Sequence, residues 1–287
     1  MNRRSFIAAA PALVGAAAGF HLVGCKQSEV TSGNPNALLA GPIGVQLYTL
    51  RSLMRDDFDG VLAKVAEIGF KEVEFAGYYD RQPAALRAQL DGLGLRAPSS
   101  HIPLTTIESD LAGTIETAKT LGHEYIICPF LDNQQRQGGV ARYQALAETF
   151  NRAGETCKAA GIRFGYHNHD FEFAKDGDRV LFDVLLDETD PELVTIELDL
   201  YWIVQAGADP LTYFERYPGR FELFHVKDRA AEGGMRPVGQ GTIDFAGIFA
   251  ADERAGTRHY FVEHDNPEDP LASITASFRH LKGMTSR

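Results

Sequence analysis

His167, Asp199, His225 and Glu263 are the residues whose types and spacing point most directly to chemistry. Each stands at the end of a strand-like run in the second half of the chain: Arg163–His169 (RFGYHNH), Thr195–Trp202 (TIELDLYW), Phe221–Asp228 (FELFHVKD) and His259–Asp265 (HYFVEHD). Each follows a short apolar stretch and precedes a polar loop. In a closed parallel β/α barrel the carboxyl ends of all strands face one mouth, so residues far apart in sequence converge there. Two imidazoles and two carboxylates at one point make a mixed nitrogen and oxygen site for one divalent metal ion. With no thiolate in the set, Mn²⁺ is the first expectation and Zn²⁺ the second, with Co²⁺ or Mg²⁺ as further candidates.

Other reactive groups fall at the same mouth. His169 lies two residues beyond His167, so on an extended run it faces the same way. His101 ends the third strand-like run, Glu74 lies between Val73 and Phe75 in the second, and Lys227 follows His225 by two. These four are the candidate catalytic groups. Each has a plainer reading. His169 would orient His167, His101 would cap a strand, and Glu74 would form an ion pair, with Lys227 as a partner. Lys227 would neutralise the acidic site. Lys227 and His101 are also candidates to bind substrate, and Trp202 and Tyr201 to stack on a sugar face, against packing as the alternative. Asp199 alone would read as a helix N-cap; four candidates in one barrel-mouth register argue against that for the set. Asp228 and Arg229 read as loop residues.

The elements that must position these groups alternate regularly. Earlier strand-like runs begin at Ile43 (IGVQLYTL), Lys71 (KEVEFAGY), Arg96 (RAPSSHIP) and Tyr125 (YIICPFL). Between the runs, apolar residues recur near every 3.6 positions. Phe58 to Ile68 ends at Gly69, Leu86 to Leu93 at Gly94, Leu111 to Leu121 at Gly122, and Tyr143 to Cys157 at Gly161. Eight strand–helix units in about 245 residues match a (β/α)8 TIM barrel, here over residues 42–287. The alternation implies a parallel sheet. A doubly wound open sheet is the alternative, but no glycine-rich phosphate loop follows the first strand.

The first 25 residues read as an export signal. Arg3 and Arg4 precede Phe6 and Ile7, an Ala- and Gly-rich apolar run follows, and Leu22-Val23-Gly24-Cys25 resembles a lipobox. Residues 26–41 read as a linker. These features imply an exported, periplasmic protein that meets the membrane only through a lipid on Cys25. Cys128 and Cys157 look like core or helix-face thiols, and nothing in their spacing demands a disulfide. A net charge of −11, from 28 basic and 39 acidic residues, argues against nucleic acid as a partner.

Several strings resemble the sugar phosphate isomerase/epimerase family: Gly165-Tyr166-His167-Asn168-His169-Asp170-Phe171-Glu172-Phe173, Glu197-Leu198-Asp199, His225-Val226-Lys227-Asp228, Val238-Gly239-Gln240-Gly241-Thr242-Ile243-Asp244-Phe245 and Val262-Glu263. The resemblance covers roughly Ile43 to the C-terminus and implies the xylose isomerase-like TIM barrel. It also implies a divalent metal held by a Glu, Asp, His, Glu set from strands 5 to 8. Asp199, His225 and Glu263 match the last three positions, and His167 stands where the family has its first Glu. In the epimerases that Glu also handles a substrate proton, so the His-Asn-His version looks closer to the dehydratase and 3-keto-glycoside lyase branches.

The expected reaction is proton abstraction next to a metal-bound carbonyl of an unphosphorylated keto sugar or 3-keto-glycoside, followed by β-elimination. The glycine-rich stretch Gly233–Gly241 has Arg236 as its one cation, a poor basis for holding phosphate. The alternatives are a sugar isomerase or epimerase working through an enediolate, and a non-catalytic periplasmic sugar-binding lipoprotein. Mass spectrometry of protein from native membranes is expected to find no peptide from residues 1–24 and a diacylated Cys25; a cytoplasmic protein with an intact N-terminus would rule this out.

Overall fold

The alternating pattern folds, in a computed structural model, as eight parallel strands closed on themselves. The structure describes Leu39 and residues 41–285. The export signal, the lipobox at Cys25 and all of the 26–41 linker except Leu39 and Gly41 lie outside those residues. The strands are β1 (Ile43–Gln46), β2 (Glu72–Phe75), β3 (Arg96–His101), β4 (Tyr125–Cys128), β5 (Arg163–His167), β6 (Val194–Asp199), β7 (Leu223–Val226) and β8 (His259–Val262). Each pairs with its sequence neighbours, and β8 closes on β1 with Ile43 opposite Tyr260. The register slips between β2 and β3, where Glu72 faces Arg96 but Glu74 faces Ser99. Pro98 lies in that gap and has no N–H to give to the ladder.

Helices cover the outside: α1 (Phe58–Ile68), α2 (Pro83–Leu93), α3 (Leu104–Leu121), α4 (Gly139–Ala159), α5 (Leu181–Glu188), α6 (Leu200–Gln205), α7 (Pro210–Arg216), α8 (Phe245–Phe249) and α9 (Pro270–Thr285). Their apolar faces form one large core with the outward faces of the strands. No helix among the described residues is long and apolar enough to cross a membrane.

Some expected strands run too long, for a local reason. The apolar run at Ile43 stops being a strand at Gln46, whose side-chain oxygen accepts the N–H of Tyr48 at 2.9 Å and turns the chain. The run from Thr195 to Trp202 ends at Asp199, whose carboxylate caps α6. The helix expected from Leu111 begins earlier, at Leu104, and is broken at Asp110 (φ −148°, ψ 54°), whose carboxylate accepts the N–H of Gly113 at 3.0 Å.

The barrel interior is layered. A small apolar cluster of Tyr125, Ile127, Leu223 and Phe261 fills its middle, separate from the outer core. Gly44 leaves room for Phe261, because a Cβ there would stand 2.5 Å from the ring. Below the cluster, Glu222 accepts from Tyr125 Oη at 2.8 Å and Arg163 Nε at 2.9 Å, and Glu72 meets His259 at 2.8 Å. Such groups at the amino ends of barrel strands read as stability. Above it, at the carboxyl ends, the buried residues Gln46, Glu74, Ser99, His167, Glu197, Asp199 and His225 are polar.

Candidate metal centre

Strand alternation carries pairs of residues two apart to the same inner face. β6 thereby presents Glu197 and Asp199, β7 presents His225 with Lys227 just beyond its end, β5 presents His167, and Glu263 follows β8. Ligand atoms of His167, Asp199, His225 and Glu263 all lie within 4.8 Å of one another, and all four residues are buried. The expected metal set is therefore gathered at one point, and each member is oriented by a neighbour.

His167 Nδ1 lies 2.9 Å from the Pro129 carbonyl, which can only accept, so Nδ1 carries the proton and Nε2 turns toward Asp199 Oδ2 at 3.1 Å. His225 Nε2 lies 2.7 Å from Glu74 Oε2. That carboxylate also receives Gln46 Nε2 at 2.7 Å and Ser99 Oγ at 2.5 Å. Glu74 acts as an acceptor, so Nε2 of His225 carries the proton and Nδ1 is left with its lone pair. Asp199 resolves the choice between cap and ligand by doing both. Its Oδ1 accepts the N–H groups of Tyr201 and Trp202, both at 3.0 Å, while Oδ2 faces the cluster.

The residues fit a divalent cation. Glu263 Oε2 lies 2.7 Å from His225 Nδ1 and 2.7 Å from Lys227 Nζ, yet neither approach has hydrogen-bond geometry. Two buried ligand atoms that face each other without bonding are arranged for a third partner. Imidazole nitrogen and carboxylate oxygen together suit borderline ions such as Zn²⁺ and Mn²⁺. Lys227 Nζ also meets Asp199 Oδ2 at 2.9 Å and Asp265 Oδ1 at 2.8 Å. Burial opposes charge on Lys227, but Asp199, Glu263 and Asp265 outweigh it and raise the ammonium well above its ordinary value. Burial likewise opposes ionisation of Asp199, and Lys227 with the imidazoles overrides it, holding the carboxyl at about 2.

The other candidates fall in distinct places. His101, His169 and Lys227 line a cleft of about 930 Å³ that opens over the cluster. His101 Nε2 lies 2.7 Å from Glu197 Oε2, and its Nδ1 has no hydrogen-bond partner among the described residues. Burial opposes charge on His101, but Glu74 and Glu197 raise its pKa. The His169 ring lies 4.9 Å from the His167 ring and packs against Phe130, Phe171 and Trp202. That burial, with His167 and Lys227 nearby, pushes its pKa down to about 2, so it is a neutral imidazole.

Glu74 corrects one expectation: its partners are Gln46, Ser99 and His225, not Lys227, and it lies fully buried beneath the metal ligand rather than in the cleft. Trp202 sits behind His169, with Lys227 Nζ 5.9 Å from its ring, and does not line the cleft.

Sequence reasoning passed over Glu197 and Asp265, although each lies two residues from a ligand and so shares its face. It also read Asp228 as a loop residue. Its buried carboxylate in fact accepts four backbone N–H groups, from Arg229 (2.8 Å), Gly239 (2.9 Å), Gly241 (2.8 Å) and Ile243 (3.2 Å). The glycine-rich loop thus wraps an internal anion, and those donors are taken.

Fold and centre together define a class: a parallel barrel with a histidine–carboxylate cluster where its last four strands end. The chain belongs to the xylose isomerase-like TIM barrel family, which it matches over residues 62–284. That family is one of enzymes. Among curated relatives, an inosose dehydratase of Geobacillus kaustophilus is 27% identical over 234 residues, covering 67% of this chain and 74% of that protein. A crystal structure of a sugar phosphate isomerase/epimerase from Parabacteroides distasonis is 29% identical with a TM-score of 0.71, covering 84% of this chain and 94% of that one. The zinc-bound IolI protein shares the fold at 15% identity, with a TM-score of 0.68 over 85% of this chain and 98% of that one.

Three outcomes follow. Elemental analysis is expected to find one divalent ion per chain in the wild type and none in Asp199→Ala or His225→Ala; stoichiometric metal in both variants would sink the assignment. Glu74→Gln, which removes the carboxylate behind His225, is expected to weaken metal binding by about 10–100-fold.

The third concerns Glu172, fully buried, which accepts from Tyr166 Oη and from the N–H of His169 and so anchors the His169 loop. Burial pushes its carboxyl up from 4.5 to about 7. A raised acid pKa means that the folded state holds the extra proton. The associated stability is present below about pH 4.5 and is lost as pH rises through about 7. The full effect is on the order of 3 kcal/mol. Urea denaturation across that window should show a shallower pH slope for Glu172→Gln than for the wild type; equal slopes would refute the account.

Proposed function

We propose that this protein is a metal-dependent lyase that acts on an unphosphorylated cyclic keto sugar, with a 3-keto-glycoside as the preferred substrate. The observation that carries the reading is the replacement of a carboxylate by His167 in the metal set, with imidazoles as the nearby groups that line the cleft with free nitrogens. Glu74 and Glu197 lie under imidazoles, and Asp199, Glu263 and Asp265 are engaged by Lys227. A symmetric pair of free carboxylates, suited to protonating either face of a carbon, is missing. The name of the Geobacillus relative, a dehydratase, supports elimination from a cyclic ketone.

A divalent metal held by His167, Asp199, His225 and Glu263 would supply Lewis-acid stabilisation of charge developing on the substrate carbonyl oxygen. The rest is done by this chain's side chains. One imidazole takes the proton from the carbon beside the carbonyl, and the C–H electron pair becomes the enolate π bond. The enolate then re-forms the ketone, a C=C bond forms, and the C–O bond to the β-substituent breaks. The departing oxygen takes a proton from a second imidazole, giving an unsaturated ketone and an alcohol. His169, held neutral by its burial, suits the base role. His101, also in the cleft and with its charged form favoured by Glu74 and Glu197, is the second imidazole. Lys227 keeps the adjacent carboxylates ionised and in place.

An unphosphorylated substrate is favoured because the donors of the loop after β7 are filled by Asp228. Export with a lipid on Cys25 belongs to the same reading, since it would bring the enzyme to glycosides arriving from outside. A second reading, isomerisation or epimerisation through an enediolate, draws support from the Parabacteroides structure.

Incubating metal-loaded protein with 3-keto-glycosides and free ketoses in deuterated water separates the two. Release of the alcohol from a 3-keto-glycoside is expected. His101→Ala and His169→Ala are each expected to lower turnover about 10²–10⁴-fold with metal content unchanged. Interconversion of ketoses with every 3-keto-glycoside left intact would replace the lyase reading with the epimerase one.

A further inference from the structure

The barrel mouth is divided. The metal ligands come from β5 to β8, whereas much of the remaining cleft wall comes from the loops after β1 to β4. Tyr48 follows β1, Gly77 and Tyr78 follow β2, Pro103 and the first part of α3 follow β3, and Phe130 follows β4. His101, at the end of β3, stands at the junction. A sugar held at the metal ligands therefore has open space beside it. The cleft volume of about 930 Å³ is near the top of the ~300–1,000 Å³ range that encloses drug-sized ligands. It exceeds what one sugar ring fills.

The lining of that second half has a consistent chemistry. Three large apolar side chains are exposed among the described residues, and two of them, Tyr48 (41%) and Phe130 (44%), line this cleft. Both rings are held in place. Arg51 lies 3.9 Å from the Tyr48 ring centre and is itself tied to the Asp265 carbonyl at 2.6 Å. Phe130 packs edge-on against His169 and Phe171. Facing the cleft from α3 is a stripe at helical spacing, Thr106, Asp110, Gly113 and Thr117, in which the two threonine hydroxyls have no hydrogen-bond partner among the described residues. Rigid aromatic surfaces with hydroxyl and carboxylate groups nearby suit a ring that is apolar on its face and hydroxylated at its edge.

We propose that the β1–β4 half of the mouth is a subsite for the leaving group of a glycoside, a second ring of that kind, while the reacting sugar occupies the β5–β8 half. The proposal rests on the glycoside reading above and assigns to it the part of the cleft that the metal centre does not use. The ring is either an aromatic aglycone or a second pyranose; both offer the same apolar face and polar edge.

Binding of unoxidised glycosides tests it apart from the chemistry. Lacking a ketone, they have no acidified C–H and are not turned over, so failure of the elimination reading in the turnover assay would leave this measurement unaffected. Calorimetric titration of the metal-loaded protein would compare methyl β-glucoside, phenyl β-glucoside and cellobiose. At least one of the two larger ligands is expected to bind about tenfold tighter than methyl β-glucoside. A gain with phenyl β-glucoside marks an aromatic aglycone, and a gain with cellobiose marks a sugar. Thr117→Trp, which fills the subsite, should abolish the gain while leaving methyl β-glucoside binding within about twofold. Tyr48→Ala should reduce the gain without filling anything, which guards against a misfolded tryptophan variant. Equal affinity for all three ligands, or a gain that survives in both variants, would overturn the subsite.

Discussion

Concentrated negative charge at one end of the barrel is the constraint on which the rest of the site depends. Glu74, Glu197, Asp199, Glu263 and Asp265 converge there, and Glu74, Glu197 and Asp199 are fully buried. Carboxylates out of water are tolerated only when paired or coordinated. Lys227 answers Asp199, Glu263 and Asp265, the His101 and His225 imidazoles meet Glu197 and Glu74, and a divalent ion at the ligand cluster would share Asp199 and Glu263. His225 is the pivot: one nitrogen is tied to Glu74 below, and the other faces Glu263 above. The apolar layer beneath, Tyr125, Ile127, Leu223 and Phe261, separates this charge from the ion pairs at the opposite end.

Much of this could be read in the sequence because strands have a period of two and end at one mouth. The gathering of the four candidate ligands at one point, with His169 and Lys227 beside them, follows from that rule. Glu197 and Asp265 obey the same rule and were missed, since a carboxylate two residues from a ligand has no signature of its own until its partners, His101 and Lys227, are known. Glu74 was read as facing inward, which it does, but its partner is a histidine 151 positions away. Such pairings depend on barrel closure, not on any local pattern. Strand ends were misjudged at Gln46 and Asp199 for the opposite reason: the apolar run continues, and a single side-chain hydrogen bond ends the strand.

The division of the mouth separates two demands on one fold. Holding a cation needs fixed ligands on short, well-paired strands, and β5 to β8 provide them. Accommodating whatever is attached to a sugar held there would need surfaces that vary independently of the ligands, and the loops after β1 to β4 would provide those. His101 belongs to both halves, as the last residue of β3 and a neighbour of the His167 and His225 rings at 5.2 and 5.1 Å.

The carboxylate of Asp228 has a thermodynamic consequence. A loop that closes around an arriving phosphate must lose its conformational freedom at the moment of binding, and that loss is subtracted from the affinity. Here the anion is built into the chain, so the loop from Gly233 to Ile243 is ordered when the barrel forms. Its entropic cost is charged to folding, so no ordering of this loop is left to be subtracted when a ligand binds at the barrel mouth.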